Sequence, residues 1–294
     1  MHRYLRAIGF ASMNRRSEFE KLVQQVASEA DKRAYTSMDE DAMLAVFSKE
    51  YAPGMGISIC GEYNENNQFF FEYAYPYLEG QDITSTEDIT VERHAEKESY
   101  AGVCDDARVE ITIIFYLQNI ISYLRAQNTD ELPVKGTTVT MSGLSVQGTI
   151  VLPLQKSDLS KARADEAAEN RTKLVEAARR GDEEAMETLT LDDMDTYTTL
   201  SRKILTTDVF SLVDTYFMPY GVECDQYSVL GEIKEVNMVT NSLTGENVYK
   251  MKLVCNDLPI NVCINEQDLY GEPEVGRRFK GVIWLQGYIN FPAE

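Results

Sequence analysis

Residues 225–264 read DQYSVLGEIKEVNMVTNSLTGENVYKMKLVCNDLPINVCI, and their period decides the fold class. Residues 227–239 and 248–254 are rich in β-branched and aromatic side chains and flank the turn-forming run Thr240 to Gly245. A third short strand covers residues 259–264, and residues 267–270 suit a helical turn. Beyond Gly276, residues 278–285 and 288–291 surround Gly287 as two further strands. Five short strands within about 70 residues, with glycines at the bends, predict a small closed or half-closed barrel of OB-like type.

Working outward toward the N-terminus, the period changes to helical between residues 157 and 219. A long helix capped by Ser157 or Asp158 runs to Arg180, with small or sparse apolar positions such as Leu159, Ala162 and Leu174. Gly181 fits a helix stop, and Asp182 restarts a short helix through Leu189. Thr190 and Asp193 have capping-box spacing and predict a further start, and Thr207 or Asp208 caps a final helix ending at Pro219. The phrase AARRGDEEAMETL looks like the turn of a helical repeat, but no second copy follows at a fixed period, which argues against a solenoid.

The first part of the chain mixes both periods. Ser17 and Glu20 open a helix whose apolar face runs through Phe19, Leu22, Val23, Val26, Ala27 and Ala30. A second helix is expected over residues 39–49, with Met43, Val46 and Phe47 inward and Pro53-Gly54 ending it. Residues 56–63 and 68–77 form a hairpin about Asn64-Glu65-Asn66-Asn67, in which Phe69, Phe71, Tyr73 and Tyr75 share one face. Strands follow at 89–94 and 100–103. Residues 109–124 fit either a strand that becomes a helix or a buried helix. Residues 137–141 and 146–154 read as another hairpin about Ser142-Gly143-Leu144-Ser145. The expected fold class is α+β, with an α+β domain over 1–156, a helical segment over 157–221 and a barrel-like domain over 222–294.

Composition narrows function by exclusion. With 44% hydrophobic and 26% charged residues the chain has a globular rather than a disordered composition. The formal charge of −20 divides as −9, −6 and −5 over residues 1–156, 157–221 and 222–294, so it is a property of the whole chain and not of a tail. Such a field repels phosphate backbones and anionic lipid, and the expected partners exclude nucleic acid and membrane. A protein partner or self-association remains the natural class of contact. The cysteines Cys60, Cys104, Cys224, Cys255 and Cys263 are odd in number, scattered and without C-x-x-C spacing, which is no disulfide framework. The opening residues lack the apolar run of a signal peptide, and the longest apolar stretch, residues 111–124, is too short to span a bilayer. A cytoplasmic protein is expected.

Each chemical candidate has a plainer reading beside it. Asp192, Asp193 and Asp195 together have the composition of a Mg²⁺ or Ca²⁺ site, but acidic residues near a helix start also answer the macrodipole. His94 and Cys104, with Asp105 or Asp106 as orienter, have the groups of a thiol dyad; Cys104 reads more simply as a small buried residue. Glu62 and Glu72 flank a hairpin beside the aromatic run and could act as an acid–base pair, or be the wet side of a packed sheet. Trp284, among Val282, Ile283 and Leu285, fits the core better than a base-stacking face. Neither a phosphate-cradling P-loop nor a dinucleotide fingerprint is present. No residue is therefore assigned a catalytic, cofactor-binding or metal-ligating role, and no cofactor is expected.

The block DDMDTYTTLSRKI at 192–204, the run DVFSLVDTYFMPYGVECDQYSVLGEI at 208–233, the opening MHRYLRAIGF and the closing GRRFKGVIWLQGYI resemble an uncharacterised family of Gram-positive anaerobes, domain of unknown function family 3881. The resemblance extends over essentially the whole chain. It implies a cytoplasmic bacterial protein and brings no activity, cofactor or site residue with it. The leading expectation is a non-enzymatic protein acting through protein contacts, as a scaffold or regulatory module. The alternative is a small-ligand binder or enzyme with an acidic site between the two β-rich regions, drawn from Glu62, Glu72, Asp105 and Asp106.

Overall fold

The computed structural model of the chain describes residues 2–37, 42–93, 99–129, 136–154, 158–204 and 213–292. A 3-10 turn at Arg3–Ile8 leads into α1 (Arg16–Ser28) and an antiparallel meander of β1 (Lys32–Ser37), β2 (Met43–Ala52), β3 (Met55–Tyr63) and β4 (Phe69–Leu78). Then come β5 (Ile89–Arg93), β6 (Tyr100–Asp106), β7 (Ile111–Leu117), α2 (Ile120–Asn128) and β8 (Thr138–Val151). A helical hairpin, α3 (Asp158–Arg179) and α4 (Glu183–Ile204), precedes β9 (Tyr216–Pro219), β10 (Gln226–Thr240), β11 (Asn247–Cys255) and β12 (Leu258–Asn265). A 3-10 turn at Glu266–Asp268, β13 (Leu269–Tyr270) and β14 (Arg278–Asn290) complete the order.

The expected α+β class and the barrel are present, and the barrel closes with five strands. β10, β11 and β12 form the antiparallel meander read from residues 225–264. β14 pairs antiparallel with β10 on one side and with β8 on the other. β8 then runs parallel to β12, from Asn261↔Ser142 to Ile264↔Ser145, and closes the ring. An OB barrel also joins a three-strand meander to its closing strand through one parallel pair. Here the closing strand precedes the meander, so the connectivity is that of an OB barrel circularly permuted. The helical hairpin lies in the segment that links β8 to β9 and β10, and because β10 runs parallel to β8 with β14 between them, this link is a crossover and not a tight turn. β14 also pairs in parallel with β7, which carries β6 and β5 outward. One sheet therefore runs across residues 156 and 221.

Several elements differ from their sequence reading for identifiable reasons. The hairpin expected over 137–154 is the single strand β8, Thr138–Val151. A Cβ on Gly143 would lie 2.8 Å from Ile283, and one on Gly148 would lie 2.3 Å from Phe279. These glycines mark close packing, not turns. Gly287 does the same inside β14, where a Cβ would meet the Phe115 ring at 2.3 Å, and the two strands expected at 278–291 are one. The helix expected at 39–49 is β2 over its described residues; Leu44 to Phe47 are buried in succession, so both faces are covered and no alternation survives. α1 starts two residues early, with Glu18 rather than Glu20 accepting the cap N–H from Arg15. α4 runs unbroken through Thr190 and Asp193. The final helix expected from Thr207 or Asp208 falls largely outside the described residues, and its end, Tyr216–Pro219, is an edge strand on β10. Residues 109–124 are a strand followed by a helix.

The barrel interior is closed by Val229, Ile233, Leu253, Phe279, Ile283 and Leu285, all fully buried. Gly148→Val is expected to lower the unfolding free energy by about 1–3 kcal/mol through overpacking against Phe279. Urea unfolding monitored by Trp284 fluorescence measures it; an unchanged midpoint would show that the barrel does not close as tightly as described.

Candidate functional site

The polar residues that converge most closely sit where β6 ends. Asp106 closes that strand and starts the turn to β7, and its carboxylate accepts from the Arg108 backbone N–H at 3.1 Å and from Arg108 Nε at 2.8 Å. The same guanidinium donates to the Thr84 carbonyl at 2.7 Å and to the Asp257 carbonyl at 3.0 Å. Asn256 and Asp257 both have positive φ, as the tight hairpin between β11 and β12 requires. Ser85 donates to the second Asp106 oxygen at 2.6 Å, and the Cys104 sulfur lies 3.6 Å from that hydroxyl. Thr84 donates to the Pro259 carbonyl at 2.8 Å and accepts from the Met141 N–H at 2.9 Å. Arg108 and its partners thus join the 83–87 loop, the β6–β7 turn and the barrel at β8 and β12.

α3 lies across this cluster. Between it and the loop is a cavity of about 270 Å³ whose rim includes Thr86, Glu87, Arg108, Thr172 and Glu176. Arg179 donates to the Asp105 carbonyl at 3.3 Å. Arg171 pairs with Glu110 at 2.6 Å on the β6–β7 turn and with Asp193 of α4 at 2.7 Å, so one guanidinium ties both helices to the body.

Electrostatics decide what this cluster can do. Burial works to raise the Asp106 carboxyl, but the hydrogen bonds from Arg108 and Ser85 outweigh it and hold the group below its ordinary value. A carboxylate so engaged is a poor proton acceptor. Burial pushes the Cys104 thiol up to about 11, where little thiolate exists at neutral pH. The chemistry present is that of a clasp.

The other sequence candidates lie elsewhere. His94 is outside the described residues, and Cys104 stands opposite Ile89, at the far end of the β5–β6 pairing from Arg93↔Tyr100. Glu62 and Glu72 do approach each other. A bulge at Cys60/Gly61 makes Glu72 the extra residue of β4, and burial, then the charge of Glu62, raise its carboxyl while Arg93 opposes them. Asp105 and Asp106 are at the opposite end of β6 from this Arg93 neighbourhood, about 20 Å away along a strand of this length. The four acids expected to form one site are therefore two separate pairs. The aromatic run does not line a cleft: Phe70 and Phe71 are exposed at the hairpin tip, while Ala74 to Leu78 enter the core. Trp284 is buried, donates to Asp225 at 2.6 Å and packs on Tyr4 and Tyr116. Asp192 is exposed, Asp193 is engaged by Arg171, and the side chain of Asp195 lies outside the described residues. Among the described residues no group of three or more His, Cys, Asp or Glu is placed to hold a metal ion. Ser85, Arg108 and Arg171 have no motif that marks them in the sequence; the one local signal is the acid–base spacing of Asp106-Ala107-Arg108.

Fold and site together define an α+β protein built on a permuted five-stranded barrel, with a helical hairpin clasped to its flank. The chain belongs to the DUF3881 family, a domain of unknown function described from an E. rectale gene, whose sequence profile matches residues 5–287. No curated protein and no solved structure matches it. Among the described residues no helix is long and apolar enough to cross a membrane.

Asp106→Ala removes the partner of the half-buried Arg108 guanidinium and is expected to cost about 1–3 kcal/mol at neutral pH. Because the folded carboxyl is held low, its contribution is complete above the unfolded value near pH 4 and is lost as pH falls through the folded value. The wild-type–variant difference in unfolding free energy should therefore narrow in acid; a pH-independent difference would remove the charge from the explanation. Thiol titration of the folded protein at neutral pH should modify Cys224 alone, slowly because burial and Asp225 raise its thiol, and all five cysteines in denaturant. Rapid native-state modification of Cys104 would contradict its placement.

Proposed function

We propose that this protein is a non-enzymatic cytoplasmic scaffold or regulatory module that acts through protein contacts, with the α3–α4 hairpin as the presenting element. The observation that carries this reading is how little of the hairpin is used by the fold. Of its described side chains only Val175 and Ala185 are buried, while Met186, Leu191 and Met194 are 43%, 59% and 64% exposed. Large apolar side chains grouped on an exposed helix face are a feature of interaction surfaces. The Arg171 and Arg179 contacts hold the hairpin in one orientation, which limits the ordering cost of binding.

The test is affinity purification of the tagged full-length protein from its native cell, beside the variant Met186→Ser/Leu191→Ser/Met194→Ser. The expected result is a stoichiometric partner with the wild type that is lost with the variant at an unchanged melting temperature. Absence of any stable partner, together with substrate turnover by the purified protein, would overturn the reading.

A second reading, a small-ligand site, is favoured by the cavity beneath α3, with its threonine, glutamate and arginine rim. A ligand present at about 100 times its Kd would add about 2.7 kcal/mol to stability, so a thermal-shift screen of polar metabolites distinguishes it from the first.

A further inference from the structure

We infer that the outward face of α4 is a docking surface for a basic amphipathic helix on a partner protein, an inference that rests on the hairpin being the interaction element. With 3.6 residues per turn, Met186, Thr190 and Met194 stack at successive four-residue steps and Leu191 stands beside them. Ala185, the one buried residue among the described side chains of this helix, lies on the opposite side, so the stripe faces away from the body. Met186 and Met194 are about 12 Å apart along the axis, the spacing over which a helix presents anchors at i, i+4 and i+7. Methionine side chains adapt to the ridges of an incoming helix without a preformed pocket.

The charge around the stripe specifies the partner. Residues 182–195 contain seven acidic residues and no basic one. Glu183 and Glu187 are interleaved with the apolar residues, and Glu184 stands two turns before Leu191 on the same face; all three are exposed and make no ion pair among the described residues. Asp193, by contrast, is already neutralised by Arg171. An apolar stripe bordered by uncompensated carboxylates is complementary to a helix whose own apolar stripe is bordered by lysine or arginine. A second copy of this chain would bring like charge against like, on a protein of formal charge −20.

The probe is a synthetic leucine–lysine amphipathic helix of about five turns, compared with a leucine–glutamate helix of the same pattern and a lysine peptide of scrambled pattern. Binding to the full-length protein is followed by fluorescence anisotropy. The leucine–lysine helix is expected to bind more tightly than either control and to weaken with salt. Affinity should fall about tenfold or more in Glu183→Gln/Glu184→Gln/Glu187→Gln, and likewise in Met186→Ser/Leu191→Ser/Met194→Ser. Glu232→Gln/Glu235→Gln on β10 should leave it unchanged. Equal binding of the scrambled peptide, or wild-type affinity in both α4 variants, would overturn the inference, since either shows a diffuse response to net charge. If the native partner is lost in the methionine–leucine variant while the peptides are not discriminated, the partner chemistry alone is wrong. If that variant keeps its native partner, the hairpin reading falls as well.

Discussion

Everything in this molecule depends on β8 pairing on both of its edges. It lies antiparallel to β14 over most of its length and parallel to β12 over four residues, and those two ladders turn an open meander into a ring. A closed ring has no free edge of its own, so the edges left to this sheet are those of the outlying strands β5, β9 and β13. Closure also demands that strands approach closely on the inside, which is why Gly143 and Gly148 face Ile283 and Phe279. The crossover between β8 and the meander is what places a long helical segment on the barrel's flank.

The clasp formed by Asp106 and Arg108 stands one level above this. Arg108 reaches carbonyls of the 83–87 loop and of the β11–β12 turn, and Asp106 reaches Ser85, so four carbonyl or carboxylate positions around one cation fix three segments of distant sequence. Its neighbourhood also receives Arg179 and, through Glu110, Arg171. The barrel, the outer strands and the hairpin are thereby oriented by polar contacts at one corner, which leaves the opposite side of α4 open to solvent.

The C-terminal meander was legible because its strands are rich in β-branched and aromatic side chains and its turns in asparagine, glycine and threonine, even though a bulge between Ile233 and Glu235 breaks the alternation of β10. What could not be read was long-range. The pairing of β8 with strands more than 100 residues later leaves no local mark except glycines, and glycine marks turns and close approach alike. β2 was misread because a strand covered on both faces shows no alternation, and Met43, Val46 and Phe47 then imitate a helical spacing by chance. The candidate acids divided into two pairs because sequence proximity to strands says nothing about which end of a strand they occupy. Asp106 was visible as an acid, but its arginine partner, and therefore its character as a clasp, depends on the turn conformation at Asp106–Val109.

The permuted strand order has a consequence for biosynthesis. β8 emerges from the ribosome long before its antiparallel partner: Val151 and Arg278 are 127 positions apart. At about 5–20 residues per second, this strand waits for several seconds or longer with both edges unsatisfied, since β12 and β14 both follow it. A nascent chain in that state carries an exposed, glycine-containing hydrophobic strand, the kind of surface on which chaperones act. The intervening helices form from local contacts alone, so they can fold during the delay and separate β8 from the strands that follow.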